Sequence, residues 1–236
     1  MYYFSINIVL WCGLLIFLSF LLCQTRFDCQ IEVYQHNNLY ILKKKLLILI
    51  MKNFGRFILK LFGWKVVGEL PNDKKYLVVV APHTSNWDFA VGLFARFSMG
   101  VKINFLAKDQ LFFFPLGLLL KALGGAPVDR SKKNKTVEQV VEIFRSRNEF
   151  KLAITPEGTR SAVTRWKEGF YHIACQAGLP IVMVGPDYST KELRIHEKFK
   201  PSGDIDKDFP MILDFFKTIK GRYPKEIPEY HSRKDN

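Results

Sequence analysis

The sequence predicts an α/β fold in which a largely parallel β-sheet is flanked by helices. Short β-branched runs alternate along the chain with longer segments of helical periodicity, which is the pattern of parallel sheets. Three predicted strands are followed at once by polar blocks, HTSNWD, VDR and PEGTR. Because sites in such sheets collect at the carboxyl ends of strands, these blocks are the first candidates for a functional site.

Five strands and four helices are predicted between residues 76 and 184. Strands are placed at short apolar runs, several of them β-branched, and helices at the longer stretches between these runs. The predicted strands are residues 76–81, 103–107, 126–129, 152–155 and 180–184. The predicted helices are residues 89–99, 116–123, 136–147 and 169–177. The polar, basic tail from Lys217 onwards is expected to fray.

Composition limits the classes of protein that the chain can represent. Its 236 residues, 48% of them hydrophobic and 24% charged, suit one domain of ordinary size with an appendage. The formal net charge of +13 favours an anionic partner, which is nucleic acid, anionic lipid or a phosphorylated substrate. The four cysteines have no metal-site spacing, and three of them fall within the first 29 residues, so a reducing compartment is favoured over a disulfide framework.

The first fifty residues have two interpretations. Residues 2–23 carry no charge and, at about 1.5 Å per residue, are long enough to cross a ~30 Å hydrocarbon layer as a transmembrane helix. Positive charge appears only after this segment, which predicts that the remainder faces the cytoplasm. Alternatively, Met51 is the natural start and the preceding residues are an over-extended reading frame. The sequence therefore predicts two parts. Residues 1–50 are an anchor or an over-extended start, and residues 51–236 form one folded domain.

Residues 52–65 have the pattern of an amphipathic helix. Basic side chains recur at helical spacing and aromatic and aliphatic side chains fill the positions between them. One interpretation is a helix packed on its own domain. The other is a membrane-surface helix, with Lys and Arg at the headgroups and Phe and Trp in the acyl boundary.

The block HTSNWD also has two interpretations. Ser85 and Asp88 match a capping box, S-x-x-D, which makes Asp88 a helix-capping acid and His83 an ordinary loop residue. In the other interpretation, a bend in the loop brings the Asp88 carboxylate to one imidazole nitrogen of His83. That contact fixes the tautomer and leaves the second nitrogen to accept a proton.

Two further blocks carry candidate side chains. Residues 108–130 are strongly apolar in the middle, which is typical of a core helix or of the wall of an acyl-chain groove or membrane-dipping surface. Residues 156–161, PEGTRS, form a glycine turn that displays Glu157 and Arg160. Arginine binds phosphate through two parallel hydrogen bonds, although a surface turn with an ion pair is the plainer interpretation.

Taken in order, the blocks resemble the motifs of the lysophospholipid acyltransferase family, the 1-acylglycerol-3-phosphate O-acyltransferases among them. The first motif, H-x-x-x-x-D, corresponds to His83 and Asp88, and the third, P-E-G-T-R, corresponds to residues 156–160. The second ends in D-R at residues 129–130, and the fourth has a proline in an apolar strand at Pro180. The resemblance extends from about residue 51 to about residue 201, and it implies that residues 51–236 form a glycerolipid acyltransferase-like domain.

The resemblance implies a membrane-associated enzyme that transfers an acyl group to a lysophospholipid hydroxyl. His83 would be the general base and Asp88 would orient its imidazole. The acyl donor would be acyl-CoA or acyl-carrier protein, and no metal or bound cofactor is expected. The family's remaining motif positions would bind the substrates, above all the acceptor's phosphate; they are Lys108, Arg130, Glu157, Gly158, Thr159 and Arg160.

The resemblance leaves the acceptor open, because the acceptor pocket is what varies between subfamilies. Lysophosphatidic acid is the expected acceptor, and the alternatives are another lysolipid or an amino-lipid hydroxyl. Two hypotheses from other classes are a nucleic-acid-binding protein and a non-catalytic lipid-binding module. The sequence has no zinc-finger spacing, RNA-binding sheet motif or DNA-binding helix pair, which disfavours the first. Intact His83, Asp88 and Arg160 disfavour the second.

Overall fold

The computed structural model describes residues 38–128 and 136–232, and within them a seven-stranded sheet has helices on both faces. The strands are β1 (Lys65–Val67), β2 (Lys75–Val80), β3 (Asn104–Lys108), β4 (Gly125–Val128), β5 (Phe150–Ile154), β6 (Ile181–Asp187) and β7 (Glu192–Ile195). The helices are α1 (Asn38–Leu61), α2 (Asn86–Met99), α3 (Leu116–Ala122), α4 (Thr136–Ser146), α5 (Gly169–Ala177) and α6 (Ile205–Lys217). The α/β fold predicted from the sequence is confirmed.

Five consecutive strands of the sheet, from β6 to the edge strand β4, are parallel. The strand order is β1-β7-β6-β2-β5-β3-β4, and every neighbouring pair from β6 to β4 is parallel. Strand β7 runs antiparallel to β6, and β1 pairs in parallel with β7. The carboxyl ends of β6, β2, β5, β3 and β4 therefore meet at one edge of the sheet.

Alternate side chains of β2 contribute to two separate cores, as the two-residue period of a strand requires. Leu77 and Val79 pack on one face, in a cluster with α4, α5 and α6. Tyr76 and Val78 pack on the other face, in a cluster with α1 and α2. All four side chains are at most 2% exposed, which is the burial expected of a central parallel strand covered on both sides.

Helices α1 and α2 cross closely at Gly55. A Cβ at this position would lie 2.6 Å from the Ser98 nitrogen and 2.7 Å from the Phe94 oxygen, so only glycine fits this backbone approach. Leu59, one turn further along α1, is 6% exposed and belongs to the core. The helix continues across residues 50 and 51 without a break, so the predicted division of the chain falls inside α1.

The predicted amphipathic helix, residues 52–65, is present as part of α1, which begins earlier, at Asn38, and also ends earlier. It ends at Leu61, and Lys65 opens β1. One face packs on α2, while Phe57 and Leu61 remain 62% and 64% exposed. The helix therefore packs on its own domain and still presents large apolar side chains to the outside.

Each of the five predicted strands and four predicted helices is present, with ends that differ by up to three residues. The sequence did not predict β1, β7 or α6. The expectation that the tail frays is wrong at Ile219, which is 4% exposed, and at Lys225, whose side chain is 3% exposed. No helix of the described ranges is both long and apolar enough to cross a membrane. The predicted anchor at residues 2–23 lies outside those ranges.

Candidate active site

The carboxyl ends of three neighbouring strands bring the candidate side chains together. His83 follows β2, Glu157 follows β5, and Tyr188 follows β6. The His83 N–H donates to Glu157 Oε2 over 2.7 Å, and the Tyr188 hydroxyl donates to Asp88 Oδ1 over 2.7 Å. Strand order alone therefore assembles a site from residues more than 70 positions apart.

The imidazole of His83 faces the carboxylate of Asp88. Nδ1 of His83 lies 3.0 Å from Oδ2 of Asp88, and the two side chains are 25% and 2% exposed. An ionised carboxylate can only accept hydrogen bonds, so the proton of a neutral imidazole sits on Nδ1. Nε2 then carries the lone pair that can take a proton.

Asp88 is held as an anion by its surroundings. Its Oδ2 also accepts hydrogen bonds from the backbone N–H groups of Thr84 and Ser85, at 2.7 and 2.8 Å. Burial by itself raises the pKa of the carboxyl, but the hydrogen bonds from His83, Ser85, Tyr188 and Thr84 together outweigh it. The pKa of Asp88 therefore lies below its ordinary value, and the group is ionised at neutral pH.

The same carboxylate also caps α2. Ser85 is the N-cap residue, and its Oγ accepts a hydrogen bond from the Trp87 N–H over 3.2 Å. Asp88, in the first turn, completes the capping box through the Ser85 N–H. The two interpretations of HTSNWD are therefore compatible, because one side chain serves the helix end and the histidine together.

The PEGTR turn contributes a buried carboxylate, Glu157, and an exposed cation, Arg160. Glu157 is 2% exposed, and its Oε1 forms an ion pair with Lys225 Nζ at 3.0 Å. Burial raises the pKa of Glu157 above its ordinary value, against the opposing effects of the His83 N–H and Lys225. Gly158 has φ +68°, a left-handed backbone conformation that strains residues with a side chain, so the turn favours glycine.

Arg160 lies next to the start of α2. Its NH1 donates to Asn86 Oδ1 over 2.7 Å, and the residue is exposed, as is Thr159. Glu157 therefore pairs with a residue of the tail, not with Arg160 as in the plainer interpretation of the turn. Lys108 ends β3 at the same sheet edge. Arg130 lies outside the described residues, so its predicted role stays a prediction.

Three residues of this region were missed by the sequence analysis. Tyr188 contacts Asp88, and burial followed by the hydrogen bond to Asp88 raises its pKa well above the ordinary value. Lys225 forms an ion pair with Glu157, and the guanidinium carbon of Arg222 lies 5.4 Å from the centre of the Trp87 ring. Position at a strand end could have indicated Tyr188, whereas the other two lie in a tail without any pattern.

In ranges 38–128 and 136–232, no three His, Cys, Asp or Glu side chains lie close enough together to hold a metal ion.

Comparison with known proteins identifies the family. A model of the Acyltransferase family matches residues 64–185, slightly more than half of the chain. The 1-acyl-sn-glycerol-3-phosphate acyltransferase of Limnanthes alba is 31% identical over 194 residues, which cover 74% of this chain and 67% of that protein. The enzyme of the same name from Haemophilus influenzae is 30% identical over 140 residues, covering 56% and 57%. That from Cocos nucifera is 39% identical over 141 residues, covering 52% and 46%.

The chain belongs to the Acyltransferase family. The predicted resemblance is thereby confirmed. The crystal structure of the 1-acyl-sn-glycerophosphate (LPA) acyltransferase of Thermotoga maritima matches with a TM-score of 0.59 at 19% identity, over 86% of both chains, and supports the fold. The matched segment spans about half the length of the Haemophilus and Cocos proteins.

Proposed function

We propose that this protein transfers a fatty acyl group from a thioester to the free hydroxyl of a lysophospholipid. The proposed acceptor is 1-acylglycerol-3-phosphate, which gives phosphatidic acid, and the donor is acyl-CoA or acyl-carrier protein. The observation that carries the proposal is the contact of His83 Nδ1 with the buried Asp88 carboxylate. The names of the related proteins support the same acceptor.

In the proposed reaction His83 acts as general base through Nε2. It takes the proton of the acceptor hydroxyl while that oxygen attacks the thioester carbonyl carbon. The carbon–oxygen bond forms, the carbon–sulfur bond breaks, and the imidazolium returns its proton to the leaving thiolate. Asp88 stabilises the imidazolium between the two proton transfers, since it is ionised and fixed by four donors.

Arg160 is proposed to bind the acceptor's phosphate. It is exposed beside Asn86, at the start of α2, where backbone N–H groups also favour an anion. We expect Arg160→Ala to raise the KM for lysophosphatidic acid about tenfold or more, with a smaller change in kcat. Steady-state kinetics with the acceptor varied measure both constants.

A matched control for this variant is Arg145→Ala. Arg145 is exposed in the last turn of α4, which precedes β5 and so lies at the opposite edge of the sheet from the site. An Arg160→Ala enzyme with an unaltered KM for the phosphorylated acceptor would contradict the proposed phosphate contact.

Helix α1 is proposed to dock on an anionic membrane surface. It has six basic residues and no acidic one, and large apolar side chains along it are exposed, among them Phe57 at 62% and Leu61 at 64%. A groove of about 630 Å³ beside the helix is bordered by basic side chains, namely Lys52, Arg56, Lys60 and Lys65. Apolar insertion combined with basic residues near headgroups is how such helices bind bilayers.

Replacing both Phe57 and Leu61 with serine tests the docking surface. We expect at least a tenfold weaker association with vesicles that contain phosphatidylglycerol, because each buried apolar side chain contributes roughly 1.5–3 kcal/mol. Sedimentation with the vesicles measures the bound fraction. Met211→Ser, at a 43% exposed position on α6, is the control and should bind like wild type. Equal binding by the double variant would rule out this surface.

The proposed function is tested by thiol release from long-chain acyl-CoA, with and without lysophosphatidic acid. Acceptor-dependent release together with phosphatidic acid as the product supports the proposal. The same assay with acyl-carrier protein and with a panel of lysolipids determines donor and acceptor. If no donor and acceptor pair gives product, the proposal fails, and the non-catalytic lipid-binding hypothesis gains support.

A further inference from the structure

Lys225 is a buried cation in a segment without regular secondary structure. It lies eight residues after the end of α6, and its side chain is 3% exposed. Its Nζ is 3.0 Å from Glu157 Oε1, 3.1 Å from the His83 carbonyl oxygen and 3.3 Å from the Thr159 carbonyl oxygen. A lysine ammonium has three N–H groups to donate. The ammonium donates to the carbonyl oxygens of His83 and Thr159, and its contact with Glu157 is an ion pair.

Lys225 and Glu157 together hold the backbone of His83 from both sides. The His83 N–H donates to Glu157 Oε2, and the His83 carbonyl accepts from Lys225. The imidazole is held separately, by Asp88. His83 is thus fixed at its N–H, its carbonyl and its ring, and two of these three restraints come from the Glu157–Lys225 ion pair.

The same ammonium joins His83 to the PEGTR turn. Its contact with the Thr159 carbonyl lies one residue before Arg160, the proposed phosphate-binding residue. Lys225 therefore links His83, the proposed base, to the turn that would bind the phosphate, in addition to the direct hydrogen bond between His83 and Glu157. Displacements of about 1 Å at such positions are enough to reduce a rate by two orders of magnitude.

Stability alone does not account for this arrangement. Burying an ion pair removes both charges from water, and well-packed apolar side chains of similar size often stabilise a fold equally well. What an apolar pair cannot supply is directional hydrogen bonding to the two backbone carbonyls. The benefit of a charged pair here is therefore the fixed position of those carbonyls.

We propose that Lys225 is a positioning residue of the active site. It acts through His83 and Thr159 without touching the reacting atoms, and this assignment of its role rests on the proposed acyl transfer. The C-terminal segment is thereby part of the catalytic apparatus.

The first test is Lys225→Met, which keeps the length of the side chain and removes the donors. We expect kcat for acyl transfer to fall at least tenfold, the KM for acyl-CoA to change less than threefold, and the circular dichroism spectrum to be retained. Lys220→Met, an exposed lysine of the same tail, is the control and should behave as wild type.

A rescue experiment separates positioning from a general loss of structure. Lys225→Cys treated with 2-bromoethylamine acquires an ammonium of nearly the same reach, and wild type treated in the same way is the control. We expect the treated variant to regain most of the lost kcat. If kcat is unchanged in Lys225→Met, or falls only in proportion to the folded fraction, the proposal is overturned.

A second readout does not depend on the reaction. The rate at which diethyl pyrocarbonate modifies His83, followed by peptide mass spectrometry, is expected to change severalfold in Lys225→Met. If wild type transfers no acyl group but this rate changes, the proposed function fails and the positioning role stands. If the rate is the same in both proteins, the positioning role is overturned whatever the activity.

Discussion

We expect His83→Ala to reduce kcat for acyl transfer by at least about 100-fold, which is the usual size of a general-base contribution. The reason is geometric. Nδ1 is occupied by Asp88, so Nε2 is the atom that receives the proton, and alanine provides no replacement. Thiol release under saturating acyl-CoA and acceptor measures the effect. Added imidazole should restore part of the rate, because a free base can enter the space that the ring leaves.

The control for this variant is His196→Ala. His196 is an exposed histidine after β7, and its ring contacts the Glu197 carbonyl oxygen. We expect wild-type kinetics from it. Acyl transfer that survives His83→Ala unchanged would exclude His83 as the base and would leave the thioester reaction without an assigned proton acceptor.

The second large effect is expected from Asp88→Asn. An amide cannot accept all four hydrogen bonds as an anion does, and it no longer stabilises an imidazolium, so kcat should fall about 100-fold or more. The variant should also lose about 1–3 kcal/mol of unfolding free energy, because buried donors are left poorly satisfied. Thermal or urea unfolding at neutral pH measures that loss.

The stability loss in Asp88→Asn should depend on pH. The folded pKa of Asp88 lies below its ordinary value, so the ionised group stabilises the fold above its unfolded pKa of about 3.9. This contribution disappears as the pH falls through the folded pKa. We therefore expect the difference in unfolding free energy between wild type and Asp88→Asn to shrink below about pH 4. Asp214→Asn, at an exposed side chain, is the control. If the stability difference between wild type and Asp88→Asn is constant with pH, Asp88 is not a stabilising anion in the folded protein.

The local part of the site could be predicted from the sequence, because its signals are local. The apolar run of β2 and the periodicity of α2 define the loop between them, and four residues lie between His83 and Asp88. That spacing left two interpretations of Asp88, as a cap and as a partner of histidine. Both apply, because the two oxygens of one carboxylate can accept several hydrogen bonds from different directions.

The distant part could not be predicted in this way. Tyr188 lies 100 residues from Asp88, and Lys225 lies 142 residues from His83, so these contacts exist only once the sheet order is formed. Strands β1 and β7 have three and four residues, too few for a period to be recognised. The tail looked like a solvated end because it is rich in charged residues, whereas several distant contacts hold it, among them the Lys225–Glu157 ion pair and the Tyr230–Asp206 hydrogen bond.

The Gly55 crossing has a consequence for how substrate would reach the site. At this crossing the backbones of α1 and α2 are in close contact, so the position of α2 is tied to that of α1. Phe62, directly after α1, lies against Trp87 at the start of α2, with ring centres 6.4 Å apart. If α1 rests in a bilayer, its depth there determines the height of His83 above the lipid surface. The acceptor would then arrive by lateral diffusion, with its hydroxyl already near the level of the base.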